Sequence, residues 1–351
     1  MDTTEIVAIG PLSPPITGPG LKNKYIKQGL EERGFTVTWI NTLEQSPDTV
    51  LELLRESWDA DRFLVSASTK VRLGTALLLS RKLADPAVDS ALLPAGGSFA
   101  TELESLPPGI RTKYLDWFGR FDCILPQSDE LSGELRALFD SDVLISTLPN
   151  LRPVPDQPPD FDDFEGTDRL LRLAYVGRIK ETKGLHHLLD AVKEINETER
   201  RVSLDVFGHF LEGDEYKEQF LAQCESTPEA RFLGKLDNED VIGRLREYDV
   251  FAFPTYYSGE GFPGVLVEAF AAGCLILASD WNYNGQLVSD GEDGLLFEPR
   301  SSDAIREQLQ WLLDNPGSVD GLKHNSWQNA ANYSISTVTD ELTTYLSQAG
   351  W

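Results

Sequence analysis

The sequence is poor in cysteine, histidine and basic side chains, and each shortage removes a class of function. Its 351 residues include three cysteines, Cys123, Cys224 and Cys274, which are far apart in the chain. They form neither a disulfide framework nor a Cys-x-x-Cys zinc motif, so we expect small buried thiols. The four histidines have neither His-x3-His nor His-Glu-x-x-His spacing, so we expect no metal ion and no bound cofactor.

Basic residues are outnumbered, with 31 lysines and arginines against 57 acidic residues and a net charge of −26. Because generic nucleic-acid binding depends on neutralising phosphates, no nucleic-acid partner is expected, and a broad basic membrane-binding surface is disfavoured. The chain also lacks a secretory signal and any apolar run of about 18 residues. We expect a cytoplasmic protein, with at most peripheral contact at the inner membrane face. Lys22, Lys24 and Lys27 could touch a membrane, or form a solvated helix side.

Short apolar runs alternate with helical patterns along the chain, which predicts a doubly wound α/β fold. A length of about 150 residues per domain suggests two domains. Predicted strands cover residues 5–10, 35–40, 62–66, 91–94, 123–127, 143–146, 169–177, 202–207, 231–234, 250–253 and 275–278. Predicted helices cover residues 21–33, 48–57, 71–84, 130–139, 184–196, 263–272, 302–315, 319–331 and 335–348. Five prolines between Pro149 and Gly166 predict a stiff linker between the domains.

The stretch from Glu260 to Glu268 carries the strongest chemical signal. Pro263 suits the first turn of a helix and Gly273 suits its end, which predicts a helix over 263–272. Every residue inside that helix is apolar or glycine except Glu268, so a buried helix with one buried carboxylate is expected. The free N–H groups of the first turn and the helix dipole suit a phosphate. Glu260 stands at the mouth of this helix, so two carboxylates and an anion site converge there.

A second anion-binding pattern follows the strand predicted over 169–177. Arg178, Lys183 and Gly184 lead from that strand into the next predicted helix. Two cations at a strand end before a helix start are typical of an anion site. The pattern is not a Walker A loop, because here the lysine precedes the glycine.

The spacing Glu260-x7-Glu268 resembles the Glu-x7-Glu motif of retaining GT-B glycosyltransferases of family 4, the glycosyl transferases group 1. The stretches over 269–280 and 290–299 also resemble that family, and Arg178-x4-Lys183-Gly184 is similar to its Gly-Arg-x4-Lys-Gly motif. The resemblance implies an α/β fold of GT-B architecture, with two Rossmann-like domains facing across a cleft. Residues 1–155 would form the acceptor-side domain, with a helix over 335–351 crossing back onto it. Residues 156–334 would bind the nucleotide sugar.

The resemblance also implies a role for each matching residue. Arg178, Lys183 and Glu260 would be catalytic: the two cations hold the diphosphate and Glu260 contacts the donor sugar. Glu268 would bind the ribose hydroxyls. The donor-binding set is Gly18, Gly20, Gly177, Gly208, Gly261, Phe262, Pro263, Gly264, Val265 and Glu268, and the candidate cleft-lining set is Gly96, Gly97, Ser98 and His209.

Three of these assignments have simpler alternatives. Gly18 and Gly20 could belong to a plain proline-glycine loop, and His209 could be an ordinary loop histidine. In many relatives a histidine near positions 94–100 touches the donor sugar, and this chain has none there. An aromatic, amide-rich loop over 279–285 could line the cleft or only pack its own side chains.

The resemblance implies transfer of a sugar from a nucleoside diphosphate-sugar to an acceptor hydroxyl, with retention and without a metal. The acceptor would be a glycan, a lipid-linked glycan or a small molecule, in glycan, polysaccharide or glycolipid synthesis. Two alternatives remain. One is a GT-B epimerase or phosphorylase. The other is a catalytically degenerate partner that binds nucleotide sugars, which the missing histidine favours and the retained Arg178, Lys183, Glu260 and Glu268 oppose.

Overall fold

The computed structural model describes residues 5–14, 17–43, 46–67, 72, 74–75, 79, 82–139, 142–161, 164, 169–211 and 215–351. The chain divides into two compact units, one formed by Met1–Pro153 with Tyr333–Trp351 and the other by Val154–Asn332. The predicted domain ends, after residues 155 and 334, each lie two residues beyond these divisions. Each unit has its own parallel sheet and its own buried apolar residues.

The N-terminal unit is built on a parallel sheet of six strands in the order β2-β1-β3-β4-β5-β6. The strands are β1 (Glu5–Gly10), β2 (Thr36–Asn41), β3 (Arg62–Ala67), β4 (Asp89–Pro94), β5 (Cys123–Ile124) and β6 (Leu144–Ile145). The helices described are α1 (Gly18–Glu32), α2 (Pro47–Asp59), α3 (Phe99–Glu104), α4 (Pro108–Phe118) and α5 (Asp129–Leu138). Most of the predicted helix over 71–84 lies outside the described residues.

Strand β1 shows why the predicted strands read as continuous apolar runs. Ile6 and Ala8 pack on one side of the sheet, and Val7 and Ile9 pack in a second cluster on the other side. A parallel strand covered on both faces has no solvent face that would require polar residues. The order 2-1-3-4-5 with a sixth strand added is that of a doubly wound sheet of the flavodoxin type.

The C-terminal unit has a second parallel sheet, in the order β12-β11-β10-β7-β8-β9. The strands are β7 (Leu171–Arg178), β8 (Val202–His209), β9 (Ala230–Gly234), β10 (Val250–Phe253), β11 (Leu275–Ser279) and β12 (Gly294–Phe297). The helices are α6 (Leu185–Ile195), α7 (Tyr216–Glu225), α8 (Val241–Leu245), α9 (Gly264–Ala272), α10 (Asn284–Leu287), α11 (Ser302–Asp314) and α12 (Pro316–Ala330). Counted within the unit, this is the Rossmann order 3-2-1-4-5-6. The predicted α/β class with two doubly wound sheets is confirmed.

The last helix, α13 (Ile335–Gln348), belongs to the N-terminal unit and packs against α1. Its approach is close because Gly29 offers no side chain: a Cβ there would lie 2.1 Å from the Thr339 hydroxyl oxygen. The Arg33 guanidinium pairs with the Asp340 carboxylate at 2.6 Å and fixes the position of α13 along α1. The N-terminal unit is therefore completed by residues from the far end of the chain.

The proposed linker differs from its prediction, because part of it packs on the C-terminal unit. The Phe164 N–H donates to the Asp320 carboxylate at 3.0 Å, and the Phe164 ring is buried in the core of that unit. Phe161 lies edge-on to His324, with ring centroids 5.7 Å apart. A free spacer would not bury aromatic rings, so residues 154–164 that the structure describes form the first layer of the C-terminal unit.

Several elements had no sequence prediction, including α3, α4, α7 and β12. Helix α1 begins at Gly18, three residues before its predicted start, because the Thr17 hydroxyl caps it by accepting from the Gly20 N–H at 3.1 Å. The three cysteines are buried thiols, as expected. Among the helices that the described ranges contain, none combines the length and the apolar character needed to span a bilayer.

Lys22 corrects the interpretation of α1 as presenting three lysines to solvent or to a membrane. Lys24 is exposed, but Lys22 is 1% exposed and its ammonium has no hydrogen-bond partner among the residues described. Burial, with a smaller contribution from nearby Arg152, lowers the pKa of Lys22 to about 7. Lys22 is therefore part of the interior, and near neutral pH it disfavours folding unless it loses its proton.

We expect Lys22→Met to stabilise the protein at pH 7 by on the order of 3 kcal/mol, because an apolar chain replaces a buried ammonium. The folded-state pKa is about 7 and the ordinary value is 10.5, so folding releases a proton between these values. The stability of the wild type should therefore rise from pH 7 towards pH 10.5, and the advantage of the variant should shrink. Urea unfolding at pH 7, 8.5 and 10 measures this, with Lys24→Met as the exposed control. Parallel pH curves for the wild type and Lys22→Met would contradict the burial of Lys22.

The contact between α1 and α13 predicts that Gly29→Ala destabilises the N-terminal unit by about 1–3 kcal/mol, as overpacking commonly does. The matched control is Gly133→Ala in α5, where an added Cβ meets nothing within 4 Å. That change should be neutral or stabilising by up to about 1 kcal/mol, because alanine favours helix over glycine. Urea unfolding monitored by tryptophan fluorescence tests both. Equal effects of the two substitutions would show that α13 does not approach Gly29 closely.

Candidate functional site

The C-terminal sheet changes winding direction between β7 and β10, which lie side by side. Strands β8 and β9 lie beyond β7, and β11 and β12 lie beyond β10. At such a switch point the loops leaving the two strands diverge, and ligands bind at the carboxyl ends of the strands there. The two loops are residues 179–184, between β7 and α6, and residues 254–263, between β10 and α9.

Glycine allows these loops and strand ends to approach one another. Gly184 has φ +71°, and a Cβ there would lie 2.0 Å from the Pro254 carbonyl oxygen. A Cβ on Gly208 would lie 2.2 Å from the Gly177 carbonyl oxygen, at the ends of β8 and β7. Any larger residue would push these backbones apart, so the glycines determine the width of the site.

Lys183 and Glu260 meet where the two loops come together. The Lys183 ammonium forms an ion pair with the Glu260 carboxylate, and their side chains are 12% and 15% exposed. The Thr255 hydroxyl donates to the same carboxylate oxygen at 3.0 Å. A backbone bond from the Tyr256 N–H to the Thr182 carbonyl at 2.8 Å joins the loops a second time. Two residues distant in sequence therefore form one partly desolvated ionic pair.

Arg178 is exposed at the end of β7, and its backbone carbonyl is held by a side chain of the same strand. The Tyr175 hydroxyl donates to the Arg178 carbonyl at 2.8 Å. Burial first, and then the negative charge of Glu260, raise the pKa of Tyr175 well above its ordinary value, so this hydroxyl remains a donor. The strand register places Arg178 beside His209. Burial and the Arg178 cation lower the pKa of His209, which favours neutral imidazole beside the arginine.

Helix α9 supplies the second part of the site. It runs Gly264–Ala272, so Pro263 is the residue before the first turn and not its first member as predicted. The reason is local: Pro263 has ψ 106°, an extended conformation. No side chain caps this end, which leaves first-turn N–H groups directed outwards. Glu268 is 5% exposed, in agreement with the prediction of a buried carboxylate.

A group of residues that was assigned no definite role holds the Glu260 loop in place. The Asn282 amide donates to the carbonyls of Tyr257, Ser258 and Glu260 at 3.4, 3.4 and 3.2 Å. The Trp281 indole donates to the Tyr257 carbonyl at 3.0 Å. Asn282 has φ +48°, a conformation that asparagine tolerates better than most residues. This bracing of the Glu260 loop is a role that neither alternative for the 279–285 loop named; the aromatic and amide composition was the available signal.

The predicted residues of the N-terminal unit lie at the carboxyl edge of their own sheet. Gly18 and Gly20 are in the first turn of α1 and not in a free loop, and the Gly20 N–H is already bonded to Thr17. Only Gly18, beside which an added Cβ meets nothing within 4 Å, leaves space for a ligand.

Gly96, Gly97 and Ser98 follow β4, and a buried arginine organises them. The Ser98 hydroxyl donates to one Glu102 oxygen at 2.6 Å, and Arg72 pairs with the other at 2.7 Å. Arg72 also donates to the Ala95 carbonyl at 3.3 Å. Burial lowers the pKa of Arg72 to about 10, so it is still charged at neutral pH. Ser98 is therefore engaged in the loop itself, and nothing in the sequence around Arg72 pointed to this role.

Structural comparison identifies the class of fold. HepE from Anabaena, solved with UDP and glucose, superimposes with a TM-score of 0.74 over 98% of this chain and 100% of that one, at 16% sequence identity. Sucrose-phosphate synthase from Thermosynechococcus elongatus gives a TM-score of 0.72 over 98% of each chain, also at 16% identity. At 16% sequence identity, these superpositions are evidence for a shared fold only. The fold is that of the GT-B glycosyltransferases.

Sequence comparison agrees with that fold. Residues 160–332, just under half of the chain, match the family glycosyl transferases group 1. A phosphatidyl-myo-inositol mannosyltransferase from Mycobacterium leprae is 38% identical over 143 residues, which are 40% of this chain and 37% of the relative. This chain therefore matches less than two fifths of that relative's length, so the match does not carry over the relative's whole activity.

The brace beneath the Glu260 loop leads to a prediction that does not depend on activity. Asn282→Ala removes the amide that reaches three carbonyl groups and places alanine at a positive φ. We expect hydrogen exchange in residues 254–262 to accelerate about tenfold, as for loss of about 1–2 kcal/mol of local stability. Exchange measured by mass spectrometry tests this, with exposed Gln286→Ala as the control. Unchanged exchange in Asn282→Ala would show that the loop is held by other contacts.

Proposed function

We propose that this protein is a retaining glycosyltransferase of family 4 that transfers a sugar from a nucleoside diphosphate-sugar to an acceptor hydroxyl. The observation that carries the proposal is the Lys183–Glu260 ion pair at the switch point of a group 1 domain. It joins the lysine of one motif to the first glutamate of the other. Sequence spacing alone could not bring them together.

The pair suits an exchange of partners when a donor binds. Without a donor, Glu260 neutralises Lys183 in a site where both are largely desolvated. A diphosphate carries more negative charge than one carboxylate, so it would draw the ammonium away and release Glu260. The freed carboxylate could then accept a hydrogen bond from a sugar hydroxyl. Binding of the charged end of the donor would thereby prepare the residue that holds its sugar.

The remaining residues are assigned to complementary parts of the donor. Arg178 would share the diphosphate with Lys183 and with the uncapped first-turn N–H groups of α9. Buried Glu268 would hold the ribose hydroxyls, which are suitable partners for a carboxylate in an apolar helix.

During transfer, the bond from the anomeric carbon to the diphosphate oxygen breaks and a bond to the acceptor oxygen forms. Negative charge grows on the departing diphosphate, and the cations would stabilise it there. The proton of the acceptor hydroxyl would pass to an oxygen of the leaving phosphate. The expectation that no metal or cofactor is needed remains part of this proposal.

Relatives support a nucleotide donor but leave its base and sugar open. HepE was solved with UDP and with UDP-glucose, and a mannosyltransferase matches over 143 residues of this chain. A glycan, a lipid-linked glycan or a small molecule is proposed as the acceptor, and contact with a membrane would be peripheral. A thermal-shift panel of UDP, GDP, ADP and their sugars selects the base, because a specific ligand raises the melting temperature by mass action.

The second candidate is a partner that binds nucleotide sugars without catalysing transfer. The absence of histidine over 94–100 and the engagement of Ser98 by Glu102 favour it. Nucleotide binding without transfer or hydrolysis, over a range of acceptors, would favour this candidate. Product identification separates a transferase from an epimerase or a phosphorylase.

Arg178→Ala and Lys183→Ala should each lower kcat by about 100-fold or more, because each removes a donor that stabilises the leaving group. The measurement is donor turnover with the base selected by thermal shift. Lys193→Ala, an exposed lysine of α6, is the control and should keep normal turnover.

Near-normal turnover in both Arg178→Ala and Lys183→Ala would refute the assignment of these cations. Urea unfolding of the same proteins shows whether a loss of activity reflects a loss of folding.

A further inference from the structure

Four arginines line a cavity of about 420 Å³ in the C-terminal unit, at the edge of the sheet opposite to the candidate donor site. They are Arg169, Arg172, Arg200 and Arg231, and they lie at or just before the starts of β7, β8 and β9. Because β7 has eight residues, this edge is roughly 20 Å from Arg178 at about 3.3 Å per residue. The cavity is therefore separate from the loops assigned to the donor.

Strand register explains how two of the arginines, Arg172 and Arg231, reach one face. Arg172 of β7 pairs with Ser203 of β8, and Asp205 of β8 pairs with Arg231 of β9. Residues two apart on a strand share a face. The side chains of Arg172, Ser203, Asp205 and Arg231 therefore project from the same side of the sheet. The opposite side carries Leu171, Val202 and Ala230 and faces the apolar core. The polar side chains at this edge are thus placed by the fold and not by the flexibility of a loop.

Part of this charge has a structural function. The buried Asp249 carboxylate accepts from both terminal nitrogens of Arg169, at 2.7 and 2.8 Å, and from the Lys323 ammonium at 3.2 Å. These contacts tie the start of β10 to the start of β7 and to α12. Their contacts with Asp249 therefore account for Arg169 and Lys323 without any ligand.

The other three arginines also line the cavity and are more exposed than Arg169. Arg172 reaches the same Asp249 carboxylate only at 3.5 Å, and its side chain is 36% exposed. Arg231 donates to both oxygens of the Asp205 carboxylate, at 2.8 and 2.6 Å, but 69% of its side chain remains exposed. Arg200 is exposed and has no hydrogen bond or ion pair with any residue that the structure describes. Arg200 therefore keeps donors at the cavity that no described residue uses, and Arg231 leaves most of its side chain open to solvent there.

The local charge is opposite in sign to that of the whole chain. Among the described residues, the four lining arginines and Lys323, which shares Asp249 with them, outnumber the carboxylates of Asp205, Asp249 and Glu229 by two. The chain as a whole has a net charge of −26. Uncompensated like charges repel one another, and a bound anion would relieve that repulsion.

We propose that this cavity is a second anion site, which binds a small molecule carrying two or more neighbouring phosphate groups. Arginine forks match phosphate oxygens in two-pronged hydrogen bonds. Arg172 and Arg231 lie on strands about 10 Å apart, a distance that two linked phosphates span better than one. The Ser203 hydroxyl on the strand between them is a further donor. The volume of about 420 Å³ is that of a small-molecule site.

The test uses inorganic pyrophosphate as the probe and calorimetric titration of the full chain at low ionic strength, where such contacts are least screened. Titrations are made in a Lys183→Ala background, which removes the diphosphate-holding lysine of the donor loops. Pyrophosphate should still bind this protein, and at least tenfold more tightly than inorganic phosphate. Adding Arg200→Ala should weaken binding about tenfold, as expected for one charge-assisted hydrogen bond.

Arg200 makes no contact that folding requires, so Arg200→Ala should unfold in urea like its parent. The charge reversal Arg200→Glu should abolish binding. Arg244→Ala is the control, because this exposed arginine of α8 pairs only with the exposed Glu247 in the contacts described. Equal pyrophosphate affinity with and without Arg200 would overturn the proposal. Loss of all binding on Lys183→Ala alone would also overturn it, and would leave the donor site as the binding site.

Discussion

The Lys183–Glu260 pair connects two loops that the parallel sheet would otherwise direct apart. Because β7 and β10 lie side by side while their helices leave in opposite directions, a gap between the loops is built into the topology. Gly184 allows the backbones to approach across that gap, and the Tyr256–Thr182 bond and the ion pair hold them there. Removing this connection would leave Arg178, Glu260 and α9 on loops with no common geometry.

Charged side chains are paired differently at the two edges of the C-terminal sheet. At the carboxyl edge, Lys183 is balanced by Glu260, so the ligand must compete for the cation. At the amino edge, Asp249 is surrounded by more cations than it can neutralise, and Arg200 has no partner among the residues described. A balanced pair favours exchange with a strongly charged donor, and an unbalanced cluster favours uptake of an anion. Both arrangements arise in a chain that is acidic overall.

Much of the fold could be predicted, because the strands of a sheet covered on both faces are short, uniformly apolar runs. Strands β1 and β10 and helix α13 have their predicted ends, and most other strands and helices are displaced by one to three residues. Helices such as α4 and α7 were not predicted, because their apolar faces are irregular and their burial depends on neighbours distant in sequence. The same reason applies to Lys22, which has the composition of a surface residue and lies inside.

The amino-acid sequence by itself determined the class of fold, the end of α9 at Gly273 and the burial of Glu268, since each follows from local propensity and apolar pattern. It also determined which cations and carboxylates were available. Only the tertiary structure decided that Lys183 pairs with Glu260, that Asn282 supports the loop between β10 and α9, and that Arg172 and Arg231 share one face. These arrangements join residues 22 to 77 positions apart, and they are set by strand order and register, which no local pattern encodes.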